Sequence, residues 1–345
     1  MGITNQEYFL LFLSSYLLVG LLTPLMRRIA IATDVVDKPN TAHKSHKQPV
    51  PYLGGVAIII GIILISFSTS LISSFTVDTF WLATSVLAPA LVLGLIGLWD
   101  DMKNLPPLPR FVAQTIAGVF TAIVLVATEN VGNPTGSEIF DTFITIVWVV
   151  GICNSINFFD NLDGGAAGTV AVSSIALAIL ALGGDQYLIA ALSTVTAGAT
   201  LGFLIWNKSP ARIYMGDAGA LFLGVLLATL TIRLNPDTQT QIGSYFTPIF
   251  LLAVPILDTT VAVLSRIKRH ISPFQGGQDH LSHRLIRAGL SRRKAAVSLW
   301  SLSALFASVA ILISQVSKTA ENWFIAGSSL FWIILFVLFF RRKDA

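Results

Sequence analysis

Charge is what this chain of 345 residues has least of: Lys, Arg, Asp and Glu together supply 12%, against 54% apolar residues. With a mean hydropathy of +0.75, that balance excludes a soluble domain and implies a polytopic membrane protein. Cysteine is almost absent. Cys153 stands alone, which rules out an intrachain disulfide and a cysteine-rich metal site. There is no serine elbow and no reactive thiol, so the chain offers no covalent nucleophile of those kinds. Lys and Arg are missing before the first apolar run, which argues against a cleaved signal peptide and for a first spanning helix. No composition shift, low-complexity tract or repeat marks a domain boundary.

What the chain has in quantity is hydrocarbon-length sequence. Eleven runs reach, or nearly reach, the length that crosses about 30 Å of bilayer core. They lie near 6–26, 52–74, 79–99, 111–127, 142–158, 168–184, 186–206, 217–234, 244–265, 295–316 and 322–340. With the N-terminus outside, 20 of the 22 Lys and Arg fall on one side, and only Arg233 and Lys318 on the other. The positive-inside rule makes the crowded side cytoplasmic. The expected fold is therefore all-α: one integral membrane domain over 1–345, about 11 transmembrane helices, N-terminus outside and C-terminus cytoplasmic. Cytoplasmic loops are expected near 27–51, 100–110, 159–167, 207–216 and 266–294.

The polar constellations all lie on that face. In Asn154-Ser-Ile-Asn-Phe-Phe-Asp-Asn-Leu-Asp-Gly-Gly, the side chains of Asn154, Asn157, Asp160 and Asp163 recur every three residues. That spacing predicts a slanting polar stripe down a helix end, broken by Gly164 and Gly165. A solvated cap needs one such residue; four in register imply a wet pocket, a metal or partners. Asp100 and Asp101 are adjacent carboxylates at a membrane boundary, which repel unless a cation or base separates them. Asp217 opens the eighth run, where it serves as an N-cap or points into the same cavity. Lys44 and His46 sit in a Pro-stiffened basic loop that either faces phosphate or only fixes topology. His280 and His283 share a helix face and suit donation to an anionic substrate better than zinc binding. Asp258 lies about 12 Å inside the ninth run by helix rise, as a functional carboxylate or a structural strut. Gly198 and Gly202 form a close-packing pair that serves contacts within one chain or a homodimer.

Hard carboxylate oxygens suit Mg2+, with Mn2+ as substitute, and basic loops suit a polyanionic soluble substrate. A site at the bilayer surface suits a second substrate held by a lipid tail. Together they point to phosphoryl transfer, in which the protein aligns groups and neutralises charge.

The order of these motifs resembles the polyprenyl-phosphate N-acetylhexosamine-1-phosphate transferase superfamily, of the glycosyl transferase family 4 type. The matching stretches are Asp37-Lys-Pro-Asn with Lys44, His46 and Pro51-x-x-Gly-Gly; Asp100-Asp101; Asn154-x-x-Asn-x-x-Asp-x-x-Asp-Gly; Met215-Gly-Asp-Ala-Gly; Pro255-x-x-Asp-Thr; and Ser272-Pro-Phe with Asp279-His and His283-Arg. The resemblance implies a phosphotransferase using Mg2+, with a UDP-N-acetylhexosamine donor and an undecaprenyl phosphate acceptor, in the bacterial inner membrane with its site facing the cytoplasm. It assigns catalysis to Asp100, Asp101 and Asp160, and metal binding to Asp217, Asn157 and Asp101. Substrate contacts fall to Lys44, His46, Asn154, Asp163, Asp258, Asp279, His280, His283 and Arg284. No nucleic-acid partner is expected. Ser282 stands where the sugar-1-phosphate transferases usually carry His, which leaves the sugar open. The short His-Leu-Ser-His-Arg form argues against the muramoyl-pentapeptide enzyme, which stays the alternative within the family. From a different class, the alternative is a proton-coupled transporter with Asp258 as relay.

Overall fold

The structure, a computed structural model, describes residues 4–37, 49–72, 76–103, 105–273 and 277–342. Among them run thirteen helices: α1 (Asn5–Ala32), α2 (Gly54–Ile72), α3 (Val77–Lys103), α4 (Pro107–Ala127), α5 (Glu138–Phe159), α6 (Gly165–Gly183), α7 (Tyr187–Asn207), α8 (Gly216–Arg233), α9 (Gln241–Leu251), α10 (Ala253–Lys268), α11 (Leu281–Arg287), α12 (Arg292–Ile313) and α13 (Lys318–Arg341). The strands β1 (Val36–Asp37) and β2 (Val50–Pro51) pair antiparallel in the first expected loop. This is the expected all-α polytopic architecture. In hydrocarbon every backbone polar group needs an internal partner, and a helix supplies it.

Among the described residues, nine helices are long and apolar enough to cross a membrane: α1, α3 to α8, α12 and α13. The second expected run is helical but shorter in its described apolar part, Gly54–Ser70. The ninth corrects the sequence reading. It is not one straight span but the pair α9 and α10, bent by 72°. Pro255, in the first turn of α10, has no amide hydrogen to bond to the carbonyl of Leu251, and its ring crowds that carbonyl.

The bundle is organised round α8. Eight-ninths of its most apolar stretch (89%) is buried, against 6% for α13 on the outside. Its neighbours α3, α5 and α2 pack all round it. Close approach depends on missing side chains: a Cβ on Gly55 of α2 would stand 2.1 Å from the amide nitrogen of Gly219 on α8. Gly198 and Gly202 do the same for α7, where a Cβ would meet Phe12 O and Tyr16 O of α1 at 2.3 Å each. That pair thus packs two helices of one chain. Large apolar side chains such as Phe9, Leu21, Trp81, Ile139 and Trp323 face outward, as a lipid solvent allows.

Candidate active site

Helix α8 starts at Gly216, and its first free amides are capped from another helix. Asp217 N and Ala218 N donate to Asp101 Oδ1 and Oδ2 at 2.8 and 3.1 Å. A carboxylate there accepts from amides that have no intrahelical partner and meets the positive end of the helix dipole. Asp101 belongs to the last turn of α3, so this cap ties the end of α3 to the start of α8. Its neighbour Asp100 accepts from Leu105 N and from Arg110 Nη1, each at 2.5 Å. The same Arg110 nitrogen donates to Asp217 Oδ2 at 2.5 Å, and Asn157 Nδ2 donates to Asp217 Oδ1 at 2.7 Å. Two carboxylates this close need a cation between them. Here the guanidinium of Arg110 stands in that place.

These groups line a pocket of about 440 Å3, shared by Asp160, Asp163 and His283. Their placement corrects the expected stripe. Helix α5 ends at Phe159, five residues before Gly164; Asp160 is its C-cap and Asp163 sits in the turn beyond. The turn aims both carboxylates at the cavity, whereas Asn154, still on the helix, does not line it. Asn154 instead donates to Gln114 Oε1 on α4 at 2.6 Å and to Val150 O at 2.8 Å. Asp163 accepts from Ala211 N at 3.2 Å and lies 3.8 Å from Arg292. Burial, with the charges of Asp217 and Asp163 adding to it, pushes the Asp160 carboxyl up to about 7. A cation entering beside it would reverse that shift.

The remaining expected contacts form a second, internal network. Asp258, fully buried on α10, accepts from Leu281 N at 2.6 Å and pairs with His280 Nδ1 at 2.7 Å. With Nδ1 donating to Asp258, the other ring nitrogen accepts from Arg266 Nη2 at 3.1 Å. Arg266 grips Asp279 by two bonds of 2.9 and 2.8 Å, and Arg269 adds a third at 2.7 Å. Burial raises the Asp279 carboxyl, but the Arg266 hydrogen bonds and charge outweigh it and hold the group below its ordinary range. Arg284 is buried too, donating to Asp279 O, Ser265 Oγ and, on the end of α13, Phe339 O and Arg342 O. Asp258 thus ties α10 to the start of α11. Asp279, His280 and Arg284 brace the same element, and of this motif only His283 lines the pocket. Burial, then the neighbouring His280, pulls the His283 imidazole down to about 4, so at neutral pH it meets a ligand uncharged. Ser282 donates through Oγ to Asn161 Oδ1, joining α11 to the turn after α5.

Lys44 and His46 lie outside the described residues. Several pocket residues carry no signal in the sequence, Arg110 above all, which there is only one of the cytoplasmic charges. Tyr52 and Tyr214 also line the cavity. Burial and nearby carboxylates raise both phenols above their ordinary value, so they stay hydroxyl donors. Asn207 holds the turn in place, accepting from Gly164 N at 3.0 Å and donating to Ile213 O at 2.9 Å.

The donor set fits Mg2+. Asp217, Asp100, Asp160 and Asn157 bring hard oxygens to one cavity, and a cationic group already bridges two of the carboxylates. Among the described residues no three Asp, Glu, His or Cys side chains close on one point. An ion here would take one or two carboxylates and keep several waters, as Mg2+ does and zinc does not.

Residues 83–235 match the family model described as Glycosyl transferase family 4. Over 96% of its length the chain is 33% identical to the probable undecaprenyl-phosphate N-acetylglucosaminyl 1-phosphate transferase of Bacillus subtilis, covering 89% of that protein. It is 31% identical to the decaprenyl-phosphate N-acetylglucosaminephosphotransferase of Mycolicibacterium smegmatis, across 92% of this chain and 86% of the other. A phospho-N-acetylmuramoyl-pentapeptide-transferase of Halalkalibacterium halodurans is 29% identical, across 88% of this chain and 94% of the other.

Proposed function

The chain belongs to glycosyl transferase family 4, a membrane-embedded group of phosphotransferases, and from that membership we propose that it moves N-acetylglucosamine 1-phosphate from UDP-N-acetylglucosamine to undecaprenyl phosphate, releasing UMP. The observation that carries this reading is the convergence of Asp100, Asp217, Asn157 and Arg110 at one end of the bundle, where a membrane-bound acceptor and a soluble donor can meet. The pocket faces the cytoplasm on the charge asymmetry of the loops. Mg2+ supplies positive charge to the phosphate oxygens when bound, with Asp217, Asn157 and Asp100 as the residues that would hold it, Asp100 in place of the expected Asp101, whose two oxygens accept from the α8 amides.

In the reaction an oxygen of the lipid phosphate forms a bond to the β-phosphorus of the donor. The bond from that phosphorus to the bridging oxygen breaks, and its electron pair leaves with UMP. The acceptor phosphate has a second pKa of about 6, so at neutral pH it is already mostly ionised and needs little help from a base. Asp100 therefore acts by position. It fixes Arg110, whose guanidinium is free to trade a carboxylate for a phosphate oxygen as charge builds there. Asp101 holds the α8 amides and thereby the carboxylate of Asp217. His283, Tyr52 and Tyr214 offer neutral hydrogen bonds to the sugar or diphosphate.

The test uses purified full-length protein with UDP-N-acetylglucosamine labelled in the sugar, undecaprenyl phosphate and Mg2+. Labelled lipid with one UMP per product is expected; lipid product accompanied by UDP would mean glycosyl rather than phosphoryl transfer. Running UDP-MurNAc-pentapeptide beside it separates the muramoyl-pentapeptide reading, which a relative of that name supports.

A further inference from the structure

At the end of the bundle away from the candidate active site lies a second cavity, of about 650 Å3, between the last turns of α4, α6 and α8 and the start of α7. Asp217 and Arg233 sit at opposite ends of α8, about 24 Å apart by helix rise. Three carboxylates (Glu129, Asp185 and Asp237) and one cation, Arg233, line this cavity. Glu129 and Asp185 end α4 and α6 in left-handed turns, closed by Asn130 N to Leu125 O and Gln186 N to Ala181 O, both at 2.8 Å.

Arg233 is the anomaly. The sequence places it with Lys318 on the side of the membrane that basic residues avoid. It is 8% exposed, and its one hydrogen bond runs from Nη2 to Asn130 Oδ1 at 3.2 Å. Its Nε and Nη1 have no acceptor, and it enters no ion pair among the described residues. A guanidinium taken out of water this way is costly unless something accepts its protons. An anion alone would face three carboxylates in the same wall. A cation alone would leave Arg233 as it is. A ligand carrying both charges satisfies both.

We propose that this cavity binds a zwitterionic phosphate ester of an amine, its phosphate on Arg233 and its ammonium among Glu129, Asp185 and Asp237. The source is a phospholipid head group of the leaflet opposite the active site: the cavity opens where four long apolar helices begin or end, and Val131, Leu188 and Ile189 give it an apolar side.

Full-length protein in detergent is titrated with short-chain phosphatidylethanolamine, short-chain phosphatidylglycerol, free phosphoethanolamine and inorganic phosphate, with affinity and melting temperature as readouts. Phosphatidylethanolamine is expected to bind and raise the melting temperature. Phosphatidylglycerol and the free head group should bind at least about tenfold more weakly. Arg233→Met should lose at least about tenfold in affinity for phosphatidylethanolamine, yet melt no lower than wild type without lipid, since an unpaired buried charge has gone. Should that variant fail to fold, the exposed rim variant Glu129→Gln with Asp237→Asn decides instead. It should shrink the preference for phosphatidylethanolamine over phosphatidylglycerol to less than about twofold. Equal binding of the two lipids by wild type, undiminished binding by Arg233→Met, an unchanged preference in the rim variant, or no lipid binding overturns the proposal. Free phosphoethanolamine binding as tightly as the lipid overturns the assignment to a head group, and inorganic phosphate binding as tightly makes the carboxylates irrelevant.

Discussion

The end of the bundle that holds the candidate active site and the far end both bring charged side chains to the same central helix, and they treat them differently. Around the start of α8, the carboxylates of α3 and α8 have partners built into the chain: Arg110 for Asp100 and Asp217, Asn157 for Asp217, backbone amides for Asp101. At the other end of that helix, Arg233 is buried against a single weak acceptor while three carboxylates stand elsewhere in the wall. Fixed partners hold reacting geometry in place before substrate arrives, which is what phosphoryl transfer asks of a protein. A charge left without them is a feature that only an external group completes. Changes at the first end should alter turnover, and changes at the second should alter binding and stability alone.

The largest effect tests that division. Asp217→Asn should lower lipid product by at least about a thousandfold, while Arg233→Met, being remote, should keep turnover within about twofold in the same labelled-donor assay. Next comes the strut beneath α11. Asp258→Ala strands the donors of His280 and Leu281 and should cost about 3 kcal/mol of stability, read by thermal or denaturant unfolding. Arg110→Gln leaves Asp100 and Asp217 without their shared cation and should cut turnover about a hundredfold, with Arg110→Lys recovering only part because its ammonium ends one bond short of the Nη1 that bridges both carboxylates.

A smaller effect appears on acidification. His283 has a folded pKa near 4, against about 6.5 in the unfolded chain. The unfolded state therefore takes up a proton first, and stability falls as pH drops from about 6.5 to about 4, by about 3 kcal/mol in full and on the order of 2 kcal/mol once solvent screening of this partly exposed ring is counted. His283→Gln should flatten that part of the stability curve. The smallest change is Asn154→Ala. Because Asn154 faces Gln114 rather than the pocket, it should leave the KM for donor unaltered and cost about 1 kcal/mol of stability.

Much of this was legible before any coordinates. The apolar runs announce helices because a bilayer permits little else, and the Lys and Arg asymmetry gathers the acidic motifs on one face. Three kinds of feature were not. The break between α9 and α10 was signalled by Pro255 yet hidden inside an unbroken apolar run. The three-residue spacing from Asn154 to Asp163 is the same whether the helix continues or stops, so the turn that aims Asp160 and Asp163 inward could not be read from it. Pairings across the fold, such as Arg110 with Asp217, 107 residues apart, or His280 with Asp258, 22 apart, need the packing itself. The resemblance alone assigns Asp279, His280 and Arg284 to substrate; the packing adds that their side chains also brace α11.

Mn2+ uptake, followed by electron paramagnetic resonance on full-length protein in detergent, bears most directly on a cation held at the start of α8. Wild type and Arg233→Met should each take up about one ion per chain. Asp217→Asn should take up none over the same concentrations. Uptake by Asp217→Asn equal to that of wild type would contradict the placement of the cation there and the transfer chemistry built on it.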